Sequence, residues 1–338
     1  MRQQVSETVC VVKIELGGNE MSYSDDARLL TEIASMYYEE GAKQSEVAKK
    51  FNISRSLVSK YLAKARSLGL VEIIIHDDLV HPYRLLEEKL VEKYGLTEVI
   101  CIAPAAAEML NKRIGIATGK YLTRILKGDE TVGVSAGMVV HEAAQNFLPK
   151  NQMENVRFIP LVGGLGQEHT ALQANVVCEI FARKSGGSVL ELHAPITVDS
   201  AEAKKVFMAQ SFIKNVFDKG KKADIALVGI GGLPAYSTMT KAYLPNEEVP
   251  LRKELTAGNV SGDICYNFID EEGELTECTW NDQVLAISLA ELKQIPKRIG
   301  VSGGKEKVSG IRAALKGKLV NVLITDEETA KTLLDEDK

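Results

Sequence analysis

The sequence predicts an α/β protein: an N-terminal winged helix-turn-helix followed by a larger domain built on a mostly parallel sheet. Three observations carry this reading. Apolar residues recur at helical spacing from position 29 to position 65, interrupted only by short turns. From Val99 onward, short apolar runs alternate with helical segments, the pattern of a parallel-sheet domain. Several of those runs end in glycine-rich loops.

The N-terminal module is read first. Ser24 followed by Asp25 and Asp26 is a helix-start signal, because a hydroxyl and acidic groups suit the exposed N–H groups at a helix start. Leu29, Leu30, Ile33, Ala34, Tyr37 and Tyr38 then repeat at helical spacing up to Gly41. A second short helix spans Gln44 to Phe51, with Val47, Ala48 and Phe51 inward. Asn52-Ile53 makes a turn, and Ser54 caps a third helix running to about Ser67 over Val58, Leu62 and Ala65. Two short helices joined by so brief a turn are the helix-turn-helix pattern, with small Ala48 where the helices approach. Leu70 to Ile75 reads as a strand, the wing.

Charge points the same way. The chain has 338 residues and a net charge of −5, which argues against coating nucleic acid over the whole surface. Yet Lys49 to Arg66 holds six basic residues and no acidic one. A local basic stripe on an acidic protein implies a dedicated DNA-contacting element. The candidate contacts are Gln44, Ser54, Arg55, Ser56, Ser59, Lys60 and Lys64, residue types that reach base edges and phosphates from a major-groove helix.

Beyond a joint at His76–Pro82, Tyr83, Leu85, Leu86, Leu90, Val91 and Tyr94 form an amphipathic packing helix. Strands are expected at Val99–Ala103, Thr131–Val134, Arg157–Leu161, Val189–Leu192, Asp224–Val228, Lys297–Val301 and Val320–Thr325. The loops that follow include Ser135-Ala136-Gly137, Gly163-Gly164-Leu165-Gly166, Gly229-Ile230-Gly231-Gly232 and Ser302-Gly303-Gly304-Lys305-Glu306-Lys307. In an open parallel sheet, ligands bind beyond the carboxyl ends of the strands. Glycine lets backbone N–H groups approach a ligand, and Lys305 or Lys307 could neutralise a phosphate. A phosphorylated small ligand is therefore expected.

Sharper nucleotide motifs fail. Gly304-Lys305 is followed by Glu306 where a phosphate-binding loop needs Ser or Thr, and Gly229-Ile230-Gly231 runs into Pro234 where a dinucleotide fingerprint needs glycine. The five histidines show no metal spacing, and the five cysteines form no CxxC pair, so neither a metal nor a cofactor is expected. The scattered cysteines suit a reducing cytoplasm. No apolar run is long enough to span a bilayer. Asp263 with His169 is the one acid–histidine pair an isomerase or deaminase could use, and catalysis is not expected.

Gln44-Ser45-Glu46-Val47-Ala48, Ile53-Ser54-Arg55, Val58-Ser59-Lys60 and Ala65-Arg66…Gly69-Leu70-Val71 together resemble the DNA-binding module of the SorC family of sugar-responsive bacterial regulators. The likeness continues through Gly133–Gly137, Leu161–Gly164, Ala223–Gly231, Gly258–Ile264, Gly303-Gly304…Lys307 and Val322–Asp326, departing at Ala136 and Met138, which are smaller or less polar than usual there. The resemblance implies an effector domain with the fold of sugar-phosphate isomerases, glucosamine-6-phosphate deaminase and CoA transferases. It implies that Ser135, Ala136, Gly137, Gly163, Gly164, Gln173, Asp263 and Lys307 line a pocket for a sugar or sugar phosphate. Lys307 and the 135–137 loop would hold the phosphate; Gln173 and Asp263 would bond sugar hydroxyls. It also implies homodimers to homotetramers on double-stranded operator DNA, with no membrane partner.

The expected organisation is thus 1–20, a non-native or disordered extension; 21–76, the winged helix-turn-helix; 77–97, a linker and packing helix; and 98–338, the effector-binding and oligomerisation domain. Gly17-Gly18 shortly before Met21 is what a purine-rich ribosome-binding site would encode, so translation is expected to start at Met21. Mass spectrometry of protein from the native host tests this: peptides from residues 1–20 would refute it.

Overall fold

The computed structural model describes residues 23–71, 82–164, 170–234, 253–255 and 258–335. The chain divides into two compact units between His81 and Pro82.

The first unit contains α1 (Tyr23–Tyr38), α2 (Gln44–Phe51) and α3 (Arg55–Ser67). Helix α1 begins one residue before Ser24, so Ser24 falls in its first turn instead of preceding it. Leu30, Ile33, Ala34, Val47, Ala48, Val58, Leu62, Ala65 and Val71 form one buried cluster. Asn52 takes the left-handed conformation at the end of α2 (φ 51°), which asparagine tolerates better than most residues. The Ile53 N–H then bonds the Ala48 carbonyl at 3.0 Å, and the Ser54 hydroxyl accepts from the Leu57 N–H at 3.2 Å to cap α3. Most of the expected wing, from residue 72 onward, lies outside the described residues. Leu70 and Val71 are described and are not strand.

The second unit opens with α4 (Arg84–Tyr94) and continues through β1 (Glu98–Ile102), α5 (Ala107–Ile125), β2 (Thr131–Val134), α6 (Met138–Gln145), β3 (Arg157–Pro160), α7 (Ala174–Ser185) and β4 (Ser188–Val189). Then come α8 (Ala201–Ala209), α9 (Ser211–Gly220), β5 (Ile225–Gly231), β6 (Gly262–Ile264) and β7 (Asn267–Ile269). The unit closes with α10 (Thr279–Gln283), α11 (Leu289–Gln294), β8 (Lys297–Val301), α12 (Val308–Lys316), β9 (Val322–Asp326) and α13 (Glu327–Leu334). Among the described residues the sheet runs β1-β9-β8-β5-β2-β3-β4, all parallel, with β6 and β7 added antiparallel off β5.

The central stretches of the parallel strands are apolar because both sheet faces are covered. Ile225, Leu227, Ile299, Val301, Val322 and Ile324 face a layer built from α5, α6 and α7. Ala226, Val228, Ile230 and Leu323 face the opposite layer, which includes Leu90 of α4, Ile311 and Leu315 of α12 and Leu333 of α13. The expected helix over 83–94 is present, but Leu85 points to solvent while Leu90 is fully buried. The expected strand at Val189–Leu192 is corrected to Ser188–Val189. Beyond that pair Leu192 turns into the separate cluster formed with Ile213, Val216 and Phe217 of α9.

Strand β5 is the longest and outlasts its neighbours. Its pairing with β2 ends at Leu227 and with β8 at Gly229, and its last residues pair instead with β6 (Ile230 with Ile264, Gly231 with Asp263). The β6–β7 hairpin turns through Cys265 and Tyr266, both with positive φ (49° and 60°). Side chains rather than glycine hold it. The Trp280 Nε1–H donates to the Tyr266 carbonyl at 2.8 Å. Buried Asn281 accepts from the Phe268 N–H at 2.9 Å and donates to the carbonyls of Phe268 (2.9 Å) and Thr276 (2.6 Å). Asn281→Ala would leave these buried groups unpaired, at about 1–3 kcal/mol for each group. It should therefore lower the urea midpoint clearly; an unchanged midpoint would mean water or a neighbour replaces the amide.

Candidate functional site

The first unit presents one candidate surface. On α3, Arg55, Ser56, Ser59, Lys60 and Lys64 are all exposed, while Val58, Leu62 and Ala65 are buried. Their spacing spreads the exposed residues over one continuous half of the helix, with Arg55 at its edge. Gln44 stands half-buried at the start of α2. Ser54 helps to build the helix start itself, since besides capping α3 its hydroxyl lies 2.9 Å from that of Ser56.

In the second unit, the parallel sheet brings the carboxyl ends of β2, β3, β5, β8 and β9 to one edge, so the glycine-rich loops gather there. The extension of β5 is the organiser. At Gly231 an added Cβ would sit 1.9 Å from Asp263 Oδ1, so the Asp263 carboxylate lies directly against β5. At Gly310, in the first turn of α12, an added Cβ would sit 2.0 Å from the Gly231 carbonyl oxygen. Strand and helix can touch because Gly310 carries no side chain, while the missing side chain of Gly231 leaves room for the Asp263 carboxylate. That contact brings Lys307, the residue before α12, to Asp263 on β6, 44 positions away in sequence. Lys307 is half-buried. Burial lowers the pKa of its ammonium, and the neighbouring carboxylates of Glu306 and then Asp263 partly restore it. A lysine held this way carries a charge that an incoming anion would stabilise.

The other candidates lie along the same edge. Ala136 and Gly137 lead into α6, and the Gly137 N–H donates to the Leu172 carbonyl at 3.1 Å. This ties the 135–137 loop to the turn that carries Gln173. Gln173 in turn reaches Gly164, where an added Cβ would be 3.4 Å from its Oε1. Ser135 is different. Its hydroxyl is buried and accepts from the Gly229 N–H at 3.1 Å, linking β2 to β5. His169 lies outside the described residues.

Not every glycine has the role expected of it. The N–H groups of Gly163 and Gly164 donate to the carbonyls of Leu285 (2.9 Å) and Ala194 (2.8 Å). An added Cβ at Gly163 would lie 2.1 Å from the Pro195 carbonyl oxygen. These glycines let three backbone segments meet; their N–H groups are not turned toward a ligand.

Two residues here were not identified as site residues from sequence. Buried Asp326 and Thr329 both accept from the Gly304 N–H, at 3.2 and 2.8 Å, and so fix the loop leading to Lys307. The signal was readable: Asp326-Glu327-Glu328-Thr329 is a capping aspartate followed by acids at a helix start. Asp224 and Trp280 are structural. Asp224 accepts from the Thr131 N–H at 2.8 Å at the base of the sheet. No group of three or more His, Cys, Asp or Glu suited to a metal occurs among the described residues.

Residues 80–335 match the Sugar-bind family, a sugar-binding domain. The deoxyribonucleoside regulator of Bacillus subtilis (strain 168) is 30% identical over 311 residues, 91% of this chain and 98% of that protein. The sorbitol operon regulator of Klebsiella pneumoniae is 31% identical over 321 residues, 93% of this chain and 100% of that protein. Among solved structures, full-length sorbitol operon regulator SorC from Klebsiella pneumoniae aligns with a TM-score of 0.76 at 29% identity, covering 92% of this chain and 99% of that one. A DeoR family transcriptional regulator from Listeria monocytogenes aligns at 0.68 with 28% identity, covering 75% and 100%.

Proposed function

This chain belongs to the sugar-binding-domain family of SorC-type transcriptional regulators, and from that premise we propose that it is an effector-controlled DNA-binding regulator of a carbohydrate-utilisation operon. The α2–α3 pair reads operator DNA. The carboxyl edge of the sheet in the second unit binds a sugar or sugar phosphate. The chain works by binding and not by turnover, as a homodimer or homotetramer on a two-fold operator.

One observation carries the reading. Lys307 and Asp263, distant in sequence, converge at a strand edge inside the region that matches a sugar-binding domain. A cation beside a carboxylate suits a ligand with both an anionic group and hydroxyls. Lys307 would neutralise a phosphate, while Asp263 and Gln173 would accept from hydroxyls. The Gly137 loop and the start of α6 would close round the anion. Ser135, Gly163 and Gly164 support the site from behind. The effector shifts operator occupancy only as far as its affinity differs between the DNA-competent and DNA-incompetent states.

Two variants separate the halves of the proposal. Arg55→Ala should weaken specific operator binding by about 1–3 kcal/mol, measured by fluorescence anisotropy, if Arg55 reads a base. Unchanged affinity would remove it from the interface. Lys307→Ala should leave operator binding intact and abolish release by whichever sugar phosphate a thermal-shift screen identifies; release at the parent concentration would place the anion elsewhere.

The lowered pKa of Lys307 also gives a pH dependence. Its proton leaves at a lower pH than that of an ordinary lysine, near 10.5. Affinity for an anionic effector should therefore fall as pH rises through that lowered value, and Lys307→Arg, permanently charged, should flatten the fall. A parent protein with the same profile as the arginine variant would contradict the role.

A further inference from the structure

The loop that carries Lys307 is bonded to α13 at its start, and α13 is bonded to α4 at its end. Asp326 and Thr329 form the first of these joints. The Thr329 hydroxyl accepts from the Gly304 N–H at 2.8 Å and donates to Asp326 Oδ2 at 2.6 Å, while Asp326 Oδ1 accepts from the Thr329 N–H at 3.0 Å. Both side chains are buried, so each bond is shielded from competition by water. At Gly303 an added Cβ would sit 2.4 Å from Asp326 Oδ2, so the loop has no slack against the pair. A second joint runs from α12, which starts beside Lys307: Arg312 Nη2–H donates to the Thr332 carbonyl of α13 at 3.0 Å.

The C-terminal end of α13 is fastened to α4. Near its start, Glu327 accepts from Lys331 at 2.6 Å and lies within electrostatic reach of Tyr83, the residue before α4. Tyr94 donates its hydroxyl proton to the Leu333 carbonyl at 2.9 Å, and Lys93 donates to the carbonyls of Leu333 (3.1 Å) and Leu334 (3.2 Å). Glu87 of α4 accepts from the Cys101 N–H of β1 at 2.7 Å, so α4 is held to the sheet as well. Helix α4 is the first element after Pro82, where the covalent connection from the first unit enters the second.

We propose that Asp326 and Thr329 are positioning residues for the Lys307 loop and that α13 couples the state of this loop to α4 through the bonds of Tyr94 and Lys93 to the end of α13. The coupling rests on the effector-site reading above, since a ligand at Lys307 is what would move the loop. The arrangement requires no new contact on binding. Two polar joints, one at each end of a single helix, make loop and α4 change together or not at all. Energetic coupling is reciprocal, so a change at α4 must be felt at the loop.

Hydrogen–deuterium exchange on the full-length chain without any sugar tests this, so its outcome is independent of whether a sugar binds. Thr329→Val removes the hydroxyl that joins Gly304 to Asp326. It should raise exchange about tenfold or more both at 303–307 and across 84–94, and Thr329→Ser, which keeps the hydroxyl, should restore both. Tyr94→Phe removes only the half-buried phenolic oxygen that bonds the Leu333 carbonyl. It should raise exchange at 303–307 severalfold, with the 131–134 and 225–231 strands unchanged. If Thr329→Val alters 303–307 and leaves 84–94 at the parent rate, the proposal is wrong. If Thr329→Val loosens the whole sheet, Tyr94→Phe decides alone: parent-like exchange at 303–307 overturns the coupling.

Discussion

The contact between Gly231 and Gly310 is the constraint on which the second unit's site depends. A parallel sheet delivers loops to one edge, but it does not bring a strand end, a hairpin and a helix start to one point. Here β5 outruns β2 and β8, and its freed end accepts β6 as an antiparallel partner. Helix α12 then packs on that end so closely that a methyl group at Gly310 would overlap the Gly231 carbonyl, and a methyl group at Gly231 would overlap the Asp263 carboxylate. Asp263 and Lys307 come within electrostatic reach of each other as a result. In a core packed at crystal-like density, such a contact has no space in which to relax, and the two groups are fixed with it.

Buried polar groups do the remaining positioning. Ser135 ties β2 to Gly229, Ser302 donates to the Ile230 carbonyl at 2.7 Å, and Asp326 with Thr329 holds Gly304. Each stands at the carboxyl end of a strand, where the ladder ends and backbone groups lose their regular partners. The same requirement explains Gly163 and Gly164. Their N–H groups lie in the interior and are satisfied by neighbouring segments, so they build the wall of the site and do not face into it.

Much of the fold was legible because it is governed by local rules. The α3 cap at Ser54, the turn at Asn52-Ile53 and the acid-free face of α3 follow from capping, backbone preference and charge, all encoded within a few residues. The strands of the parallel core were legible as apolar runs, because burial on both faces leaves few polar positions. The β6–β7 hairpin was not. Its strands are three residues long, and its turn is Cys265-Tyr266 in place of the glycine or asparagine that usually marks positive φ. Trp280 and Asn281 supply the stability that the turn residues lack.

By itself the sequence determined which segments are helices and core strands, which face of α3 is basic, and which loops are rich in glycine. Those properties depend on side chains a few positions apart, so chain order is enough to read them. Only the tertiary structure decided what each glycine does and which polar residues meet. Gly163 separates backbones, Gly231 admits a carboxylate, and Asp326 serves a loop 22 residues earlier in the chain. These roles arise from distances between segments far apart in sequence, set by strand order and close packing, which no local pattern encodes.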